Sequence, residues 1–401
     1  MLSLLANAAI YVVPFLAIIT VIITVHEFGH FLTARAFGVA VDRFSIGFGR
    51  TLFAKRDKWG VEWRIASWPL GGYVRFAGDE NMASVPDQED LSQLKTEIAL
   101  KEGVGAEQRY FFFKPLWQRA LIVAAGPAIN FVFAILLLSL LFGIFGEPMM
   151  STKVSQLSAG FPAAAAGVQV GDTVTAVDGH HMASFEDLAA YVQDRPGAPL
   201  RLSIQRGAQT LVIPITAAID LEPSPAGGMV RVGRLGIEAS KGAWRYYNPF
   251  QAIGRGVVQT WTDIERTGTL VARIFDGKDG WPLQGFLGAA HVTGAVTKDA
   301  ITTSQSDHLN LAMVLAATYV QLTALLSISI GLVNLVPIPV LDGGHLLFYA
   351  YEAVARRPLP ATAQAAGYRV GLALLVGLML FTAWHDLQRM QVFHFLGAHF
   401  S

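Results

Sequence analysis

The chain has 401 residues, of which 53% are apolar or aromatic and only 15% charged, with 39 glycines and 30 basic residues balanced by 30 acidic ones. A soluble domain carries about 25% charge, disorder needs few apolar residues and high net charge, and a nucleic-acid partner needs surplus cations, so all three classes are disfavoured. No cysteine is present, which excludes disulfides, thiolate metal sites and a cysteine nucleophile; any catalytic metal must rest on His, Asp or Glu.

A helix that crosses a bilayer takes about 20 residues without charge. Residues 1–25, 120–146 and 309–341 carry no His, Asp, Glu, Lys or Arg, and a fourth run at about 366–384 carries only Arg369. The first run lacks a basic start and a small-residue cleavage site, so it is expected to stay in place as a span. An α-helical polytopic membrane protein of about four transmembrane helices follows. Its segments are a first span at 1–35, a cytoplasmic membrane-associated β-region and charged insert at 36–119, and a second span at 120–146. Next come an outer β-rich domain at 147–222, an outer connector with an amphipathic helix at 223–308, and a third span at 309–345. Residues 346–401 form a cytoplasmic loop, the fourth span and a tail.

Orientation is read from Lys and Arg near the span ends. Arg35, Arg43, Arg50, Lys101, Arg109 and Lys114 flank the first inter-span segment, whereas the second has only Lys153 near its start and Lys298 near its end. The positive-inside rule therefore places residues 36–119 in the cytoplasm and 147–308 outside, and Arg356 and Arg357 agree.

His26-Glu27-Phe28-Gly29-His30 closes the first span. Histidines four apart share one helical face, which lets both imidazoles reach one zinc ion, with Glu27 beside them to take a proton from water. Ionisable groups at membrane depth are costly, which favours this over a polar helix end. A catalytic site needs a third protein ligand. No histidine follows at short spacing. Asp342 is the favoured candidate, with His345 the competitor, because Pro337, Pro339, Gly343 and Gly344 must open the backbone there. If the spans alternate in direction, His26 to His30, Gly126-Pro127-Ala128-Ile129-Asn130 and Asn334 to Asp342 all reach one membrane face. The amides of Asn130 and Asn334 could bond the substrate backbone or a developing oxyanion, or else serve only as interhelical hydrogen bonds.

Between the first two spans, Trp68 to Phe76 is mostly apolar and strand-like. Its edge, Gly71, Gly72, Tyr73 and Val74, could pair with an unwound substrate strand. Residues 79–108 are densely charged and read as a solvated insert. In the outer segment, apolar stretches at Val154 and Leu157, 173–177, 200–204 and 211–215 alternate with turn signals, with a helix-like Phe185 to Val192 between them. From Pro249 to Gly277 a helical pattern with Trp261, Ile264, Leu270, Ile274 and Phe275 fits either an outer-face membrane helix or a soluble connector.

Together these motifs resemble the site-2 proteases. His26-Glu27-x-x-His30, Gly126-Pro127-x-x-Asn130 and Asn334-x-x-Pro337-x-Pro339-x-Leu341-Asp342-Gly343-Gly344 match their three signatures in order. Phe44 to Gly49 and Gly71 to Val74 are similar to the bacterial regulator-of-sigma-E protease (RseP) group. Ala159 to Ala164 and Gly167-x-x-x-Gly171-Asp172 resemble a PDZ domain, and room for only one points to the single-PDZ, MmpA-type members. The Gly-Pro element expected near 285–294 is missing. The resemblance implies the site-2 protease core with an inserted PDZ-like domain, a Zn2+ ion on His26, His30 and Asp342, and Glu27 as general acid and base. It implies regulated intramembrane proteolysis in a bacterial cytoplasmic (inner) membrane: a single-pass membrane protein, pre-trimmed outside, is cut in or near its transmembrane segment. The lipid bilayer is a partner, nucleic acid is not, and a peptide or C-terminus could dock on the PDZ-like domain near the Gly160 loop. The rival expectations are a metal-ion transporter and a catalytically inactive PDZ scaffold.

Overall fold

A computed structural model describes residues 2–78, 88–223, 229–276, 285–306 and 310–389. The chain runs α1 (Leu2–Ala36), β1 (Val41–Arg56), β2 (Glu62–Phe76), α2 (Gln88–Glu102), α3 (Leu116–Ile144), β3 (Glu147–Leu157), α4 (Pro162–Ala165), β4 (Thr173–Val177), β5 (His180–His181) and α5 (Phe185–Gln193). It continues with β6 (Pro199–Arg206), β7 (Gln209–Thr216), β8 (Ala218–Pro223), β9 (Met229–Arg234), β10 (Ile237–Arg245), α6 (Pro249–Asp276), α7 (Phe286–Ser306), α8 (Leu311–Asn334), α9 (Asp342–Ala355) and α10 (Ala361–Arg389). Among the described residues, four stretches are long and apolar enough to cross a membrane: Ile10–Ala36, Leu116–Ile144, Leu311–Asn334 and Ala361–Gln388. They overlap the three uncharged runs and the fourth that carries only Arg369, as the cost of charge in lipid leads one to expect.

The chain divides into two compact units: residues 1–139, 255–264 and 283–401 form one, and residues 140–254 and 265–282 the other. In the first, α1 packs against β2, α7 and α8. Small residues set how closely helices approach. A Cβ on Gly29 would strike the carbonyl oxygen of Ala125, and one on Gly331 would come within 3.4 Å of Asn130 Cβ, so α1, α3 and α8 meet nearly backbone to backbone. The hydroxyl of Ser327 donates to the carbonyl oxygen of Asn130 at 2.9 Å across the α8–α3 contact. Strands β1 and β2 pair antiparallel, with Phe44 opposite Val74 and Ile46 opposite Gly72.

Helix α8 stops at Asn334 because Pro337 and Pro339 cannot continue it. The chain crosses residues 335–341 in irregular form, with Val340 at φ 146°, and re-enters a helix at Asp342. Gly343 and Gly344 are required there: a side chain on either would collide with the carbonyls of Leu335 and Ile338 respectively. Helix α7 falls where the expected Gly-Pro element is missing. Sixteen of its 21 residues are small or polar, so no apolar run announces it. Its first turn is capped from another helix, the buried carboxylate of Asp386 accepting the N–H groups of Gly285 at 3.2 Å and Gly288 at 2.7 Å.

In the second unit a sheet in the order β10-β3-β4-β6-β7, with β5 on β4, packs its inner face against α5 around Val154, Val174, Leu188, Val192, Leu202 and Ile204. Leu200, Leu202 and Ile204 of β6 point inward in strict alternation. Ser184 and Asp187 form a reciprocal capping box at the start of α5. The expected strands and helix are present, but the sheet runs past residue 222, where the sequence reading ends the β-rich domain: β10 pairs with β3 from Ile237 opposite Leu157 to Arg245 opposite Glu147. The Pro- and Gly-rich stretch 223–228 reads as a linker and hides that return.

Candidate metal centre

His26 and His30 lie one turn apart on α1, and their Nε2 atoms approach to 3.2 Å. Each ring is held from α3 at its other nitrogen. His30 Nδ1 lies 2.8 Å from the backbone carbonyl of Ile122. Because a carbonyl can only accept, Nδ1 carries the proton and Nε2 presents its lone pair. His26 Nδ1 lies 3.3 Å from the side-chain amide of Asn130. Residues 122, 126 and 130 are four apart and share one face of α3. The middle one is Gly126, where a Cβ would sit on His30 Nε2 and within 2.9 Å of His26 Cε1.

Asp342 begins α9, directly after the irregular segment. Its Oδ2 is 3.0 Å from His26 Nε2 and 3.5 Å from His30 Nε2. That oxygen is buried and takes part in no hydrogen bond. With His26 in the same tautomer as His30, two imidazole lone pairs and a carboxylate oxygen would converge with no proton between them and would repel unless a cation lay among them. Their separations match roughly the 3.3 Å edge of a tetrahedron with bonds near 2.0–2.1 Å, so the residues fit a three-ligand zinc site with a fourth corner open. Among the described residues, this is the only group of three or more His, Asp or Glu side chains with ligand atoms so close together.

Glu27, between the two histidines, has its Oε2 3.2 Å from the N–H of Val74 on β2. Gly71, Gly72, Tyr73 and Val74 therefore lie on the strand that touches the carboxylate. Gly71 has φ +120°, and a side chain there would press on Ile23 of α1 and Phe48 of β1. Asn130 is fully buried between α1 and α8. Asn334 is the partly buried last residue of α8, and its side chain makes no hydrogen bond among the described residues. His345, the competing ligand, instead lies with Nε2 2.8 Å from the Tyr368 hydroxyl on α10. Sequence reasoning did not find the carbonyl of Ile122, because backbone groups leave no mark on composition, nor the Arg119–Glu352 ion pair, 2.6 Å long, which ties α3 to α9.

The sequence model of peptidase family M50 matches residues 14–378. The chain is 46% identical over 394 residues to the metalloprotease MmpA of Caulobacter vibrioides, an alignment that covers 98% of this chain and 99% of that one. It is 38% identical, over 94% of its length and 95% of the other's, to a protein of Agrobacterium fabrum whose name carries the words zinc metalloprotease. It is 27% identical to the regulator of sigma-E protease RseP of Salmonella typhimurium, over 97% of this chain and all of that one. With the family model spanning most of the sequence, the chain belongs to peptidase family M50, the site-2 proteases.

Proposed function

We propose that this protein is a zinc metalloprotease of the bacterial cytoplasmic membrane that hydrolyses a peptide bond in or near the transmembrane segment of a single-pass membrane protein. The observation that carries this reading is the convergence of His26 Nε2, His30 Nε2 and Asp342 Oδ2 beside Glu27, with the histidines and Glu27 on a helix long enough to span a bilayer and Asp342 just past the end of another. The zinc ion, when bound, supplies Lewis acidity to the attacking water and to the scissile carbonyl. Glu27 takes the proton that water loses as the new C–O bond forms and returns it to the nitrogen as the C–N bond breaks. The N–H of Val74 keeps that carboxylate in place. The side-chain amide of Asn334, at the end of α8, is a candidate for binding the substrate backbone.

A helix hides its peptide bonds in its own hydrogen bonds, so the substrate must be extended before it is cut. The Gly71 to Val74 stretch of β2 is the natural template. The N–H of Val74 is committed to Glu27, so pairing would rest on those backbone groups of Gly71 to Tyr73 that the ladder to β1 does not use.

The β-rich unit reads as a PDZ-like domain on the outer side of the membrane, where it admits substrates already trimmed on that side. It has a groove of about 320 Å³ lined by Ser158, Phe161, Leu188, Val192, Leu235 and Ile237. The groove lies beside the Gly160 loop and along β10, and an extended peptide or C-terminus fits between β10 and α5. On α6, Phe250, Ile253, Val257 and Trp261 are exposed on one helical stripe, which suits a helix resting on lipid.

The test is purified protein, loaded with zinc, acting on a model single-pass helix. Wild type should cleave it, a chelator should abolish cleavage, added zinc should restore it, and Glu27→Gln should lower turnover by about 10²–10⁴-fold while keeping the metal. A wild type that binds zinc and never cleaves sinks the protease reading. Metal transport that survives Glu27→Gln would favour a transporter instead.

A further inference from the structure

The two histidines are not supported in the same way. His30 leans on a backbone carbonyl, which can only accept, whereas His26 faces a carboxamide, which can accept or donate. For His26 Nε2 to offer a lone pair to a cation shared with Asp342 Oδ2, the proton of the neutral ring must sit on Nδ1, and that proton needs an acceptor. The amide nitrogen of Asn130 cannot provide one. Its carbonyl oxygen can, and Oδ1 is buried with no hydrogen-bond partner. The oxygen and nitrogen of a carboxamide are nearly interchangeable in shape. Turning the amide over puts Oδ1 on Nδ1–H, which gives the buried oxygen a donor and ends the opposition of two donors.

From this we infer that Asn130 is a positioning residue for His26: its Oδ1 accepts the Nδ1 proton, fixes the tautomer and aims Nε2 at the metal position. This rests on the zinc reading above and departs from the expectation that Asn130 contacts substrate. The surroundings suit a fixed acceptor. Asn130 and Ser327 are both 0% exposed, and the Ser327 hydroxyl holds the Asn130 backbone from α8. The spacing of the second motif gains a reason: along one face of α3, Ile122 supports His30, Gly126 leaves room for both rings, and Asn130 supports His26.

The substitutions Asn130→Ala and Asn130→Asp separate an acceptor from a donor, because aspartate accepts from an imidazole N–H but cannot donate to a substrate carbonyl. Full-length protein in detergent is stripped of metal, and its zinc affinity is measured by competition with a fluorescent chelator. Turnover of the model helix is then followed at saturating zinc. Asn130→Ala is expected to weaken zinc binding about 10–100-fold, and Asn130→Asp to recover most of that loss and to turn over faster than the alanine variant. Wild-type zinc affinity in Asn130→Ala overturns the inference. So does an Asn130→Asp protein that binds zinc normally yet is as slow as the alanine variant, since the lost group would then be a donor to substrate. If the alanine variant is not recovered folded, the aspartate variant decides alone, and a tenfold or greater loss of zinc affinity in it overturns the assignment. A wild type that takes up no zinc would instead sink the zinc reading itself.

Discussion

Glu27 Oε2 accepts the backbone N–H of Val74 at 3.2 Å, so the carboxylate of α1 is steadied by strand β2. Two elements distant in sequence thus meet at the carboxylate proposed to move a proton. Since the Val74 N–H points at Glu27, it is not part of the ladder to Phe44 opposite. Val74→Pro should therefore remove the contact at little cost to strand pairing. Turnover is expected to fall about tenfold, a fraction of the ~10²–10⁴-fold contribution of a general base, with zinc affinity unchanged. Val74→Ala keeps the N–H and serves as the control. Equal turnover in the two variants would mean that the contact plays no part.

Gly126 faces His26 and His30 so closely that any side chain must displace an imidazole. Alanine is the better helix former by about 0.8–1.0 kcal/mol, so Gly126→Ala should leave α3 intact while disturbing both rings. Zinc content after dialysis should drop at least tenfold, in the range seen when ligand support is lost. Full zinc occupancy in this variant would contradict the packing described.

How much of this could be read in the sequence follows from the range of the forces involved. His26, Glu27 and His30 are legible because helical periodicity alone brings them together. Asp342 is legible through Pro337, Pro339 and the two glycines, which force the chain out of α8 and allow its tight re-entry into α9. The four spans follow from the cost of charge in lipid. The alternation of Leu200, Leu202 and Ile204 announces β6. The Ile122 carbonyl, the Ser327 bridge and the Asp386 cap on α7 are contacts between elements far apart in the chain, and no local pattern encodes them. The return of β10 to β3 is hidden for the same reason.

The β-rich unit has an internal ion pair that is expected to weaken in acid. The guanidinium of Arg206 on β6 grips Asp172 through Nε and Nη2 at 2.8 Å each, and Nη2 also donates to the carbonyl of Gly167. The hydrogen bonds from Arg206 lead the causes that hold the carboxyl below its ordinary range, and the N–H of Gln169 adds to them. A depressed carboxyl stabilises the fold above its unfolded value of about 3.9, and the contribution fades as pH falls from there through the folded value. Hydrogen exchange of peptides covering residues 153–177, corrected for the intrinsic pH effect, should show protection falling below about pH 4 in wild type. Asp172→Asn should be less protected at neutral pH and lose that acid dependence. An unchanged acid profile in Asp172→Asn would place the sensitivity elsewhere.

Asp342 stands at the first position of α9, and that helix is held to α3 at its far end by the 2.6 Å ion pair of Arg119 and Glu352, with the guanidinium also 5.1 Å from the centre of the Tyr349 ring. Both side chains are largely shielded from solvent, so the pair is not an ordinary surface bridge, and removing one partner leaves a poorly solvated charge. Arg119→Ala and Glu352→Ala should each lower zinc affinity by letting α9 shift relative to the histidines on α1. The double variant should lose less than the sum, with a coupling of about 0.5–3 kcal/mol in a mutant cycle on zinc binding. Arg119→Lys keeps the charge but loses the planar stack on Tyr349, so it should fall between wild type and Arg119→Ala. Additive losses in the cycle would mean that the two residues act separately and that α9 is fixed by the packing of Gly343 and Gly344 alone.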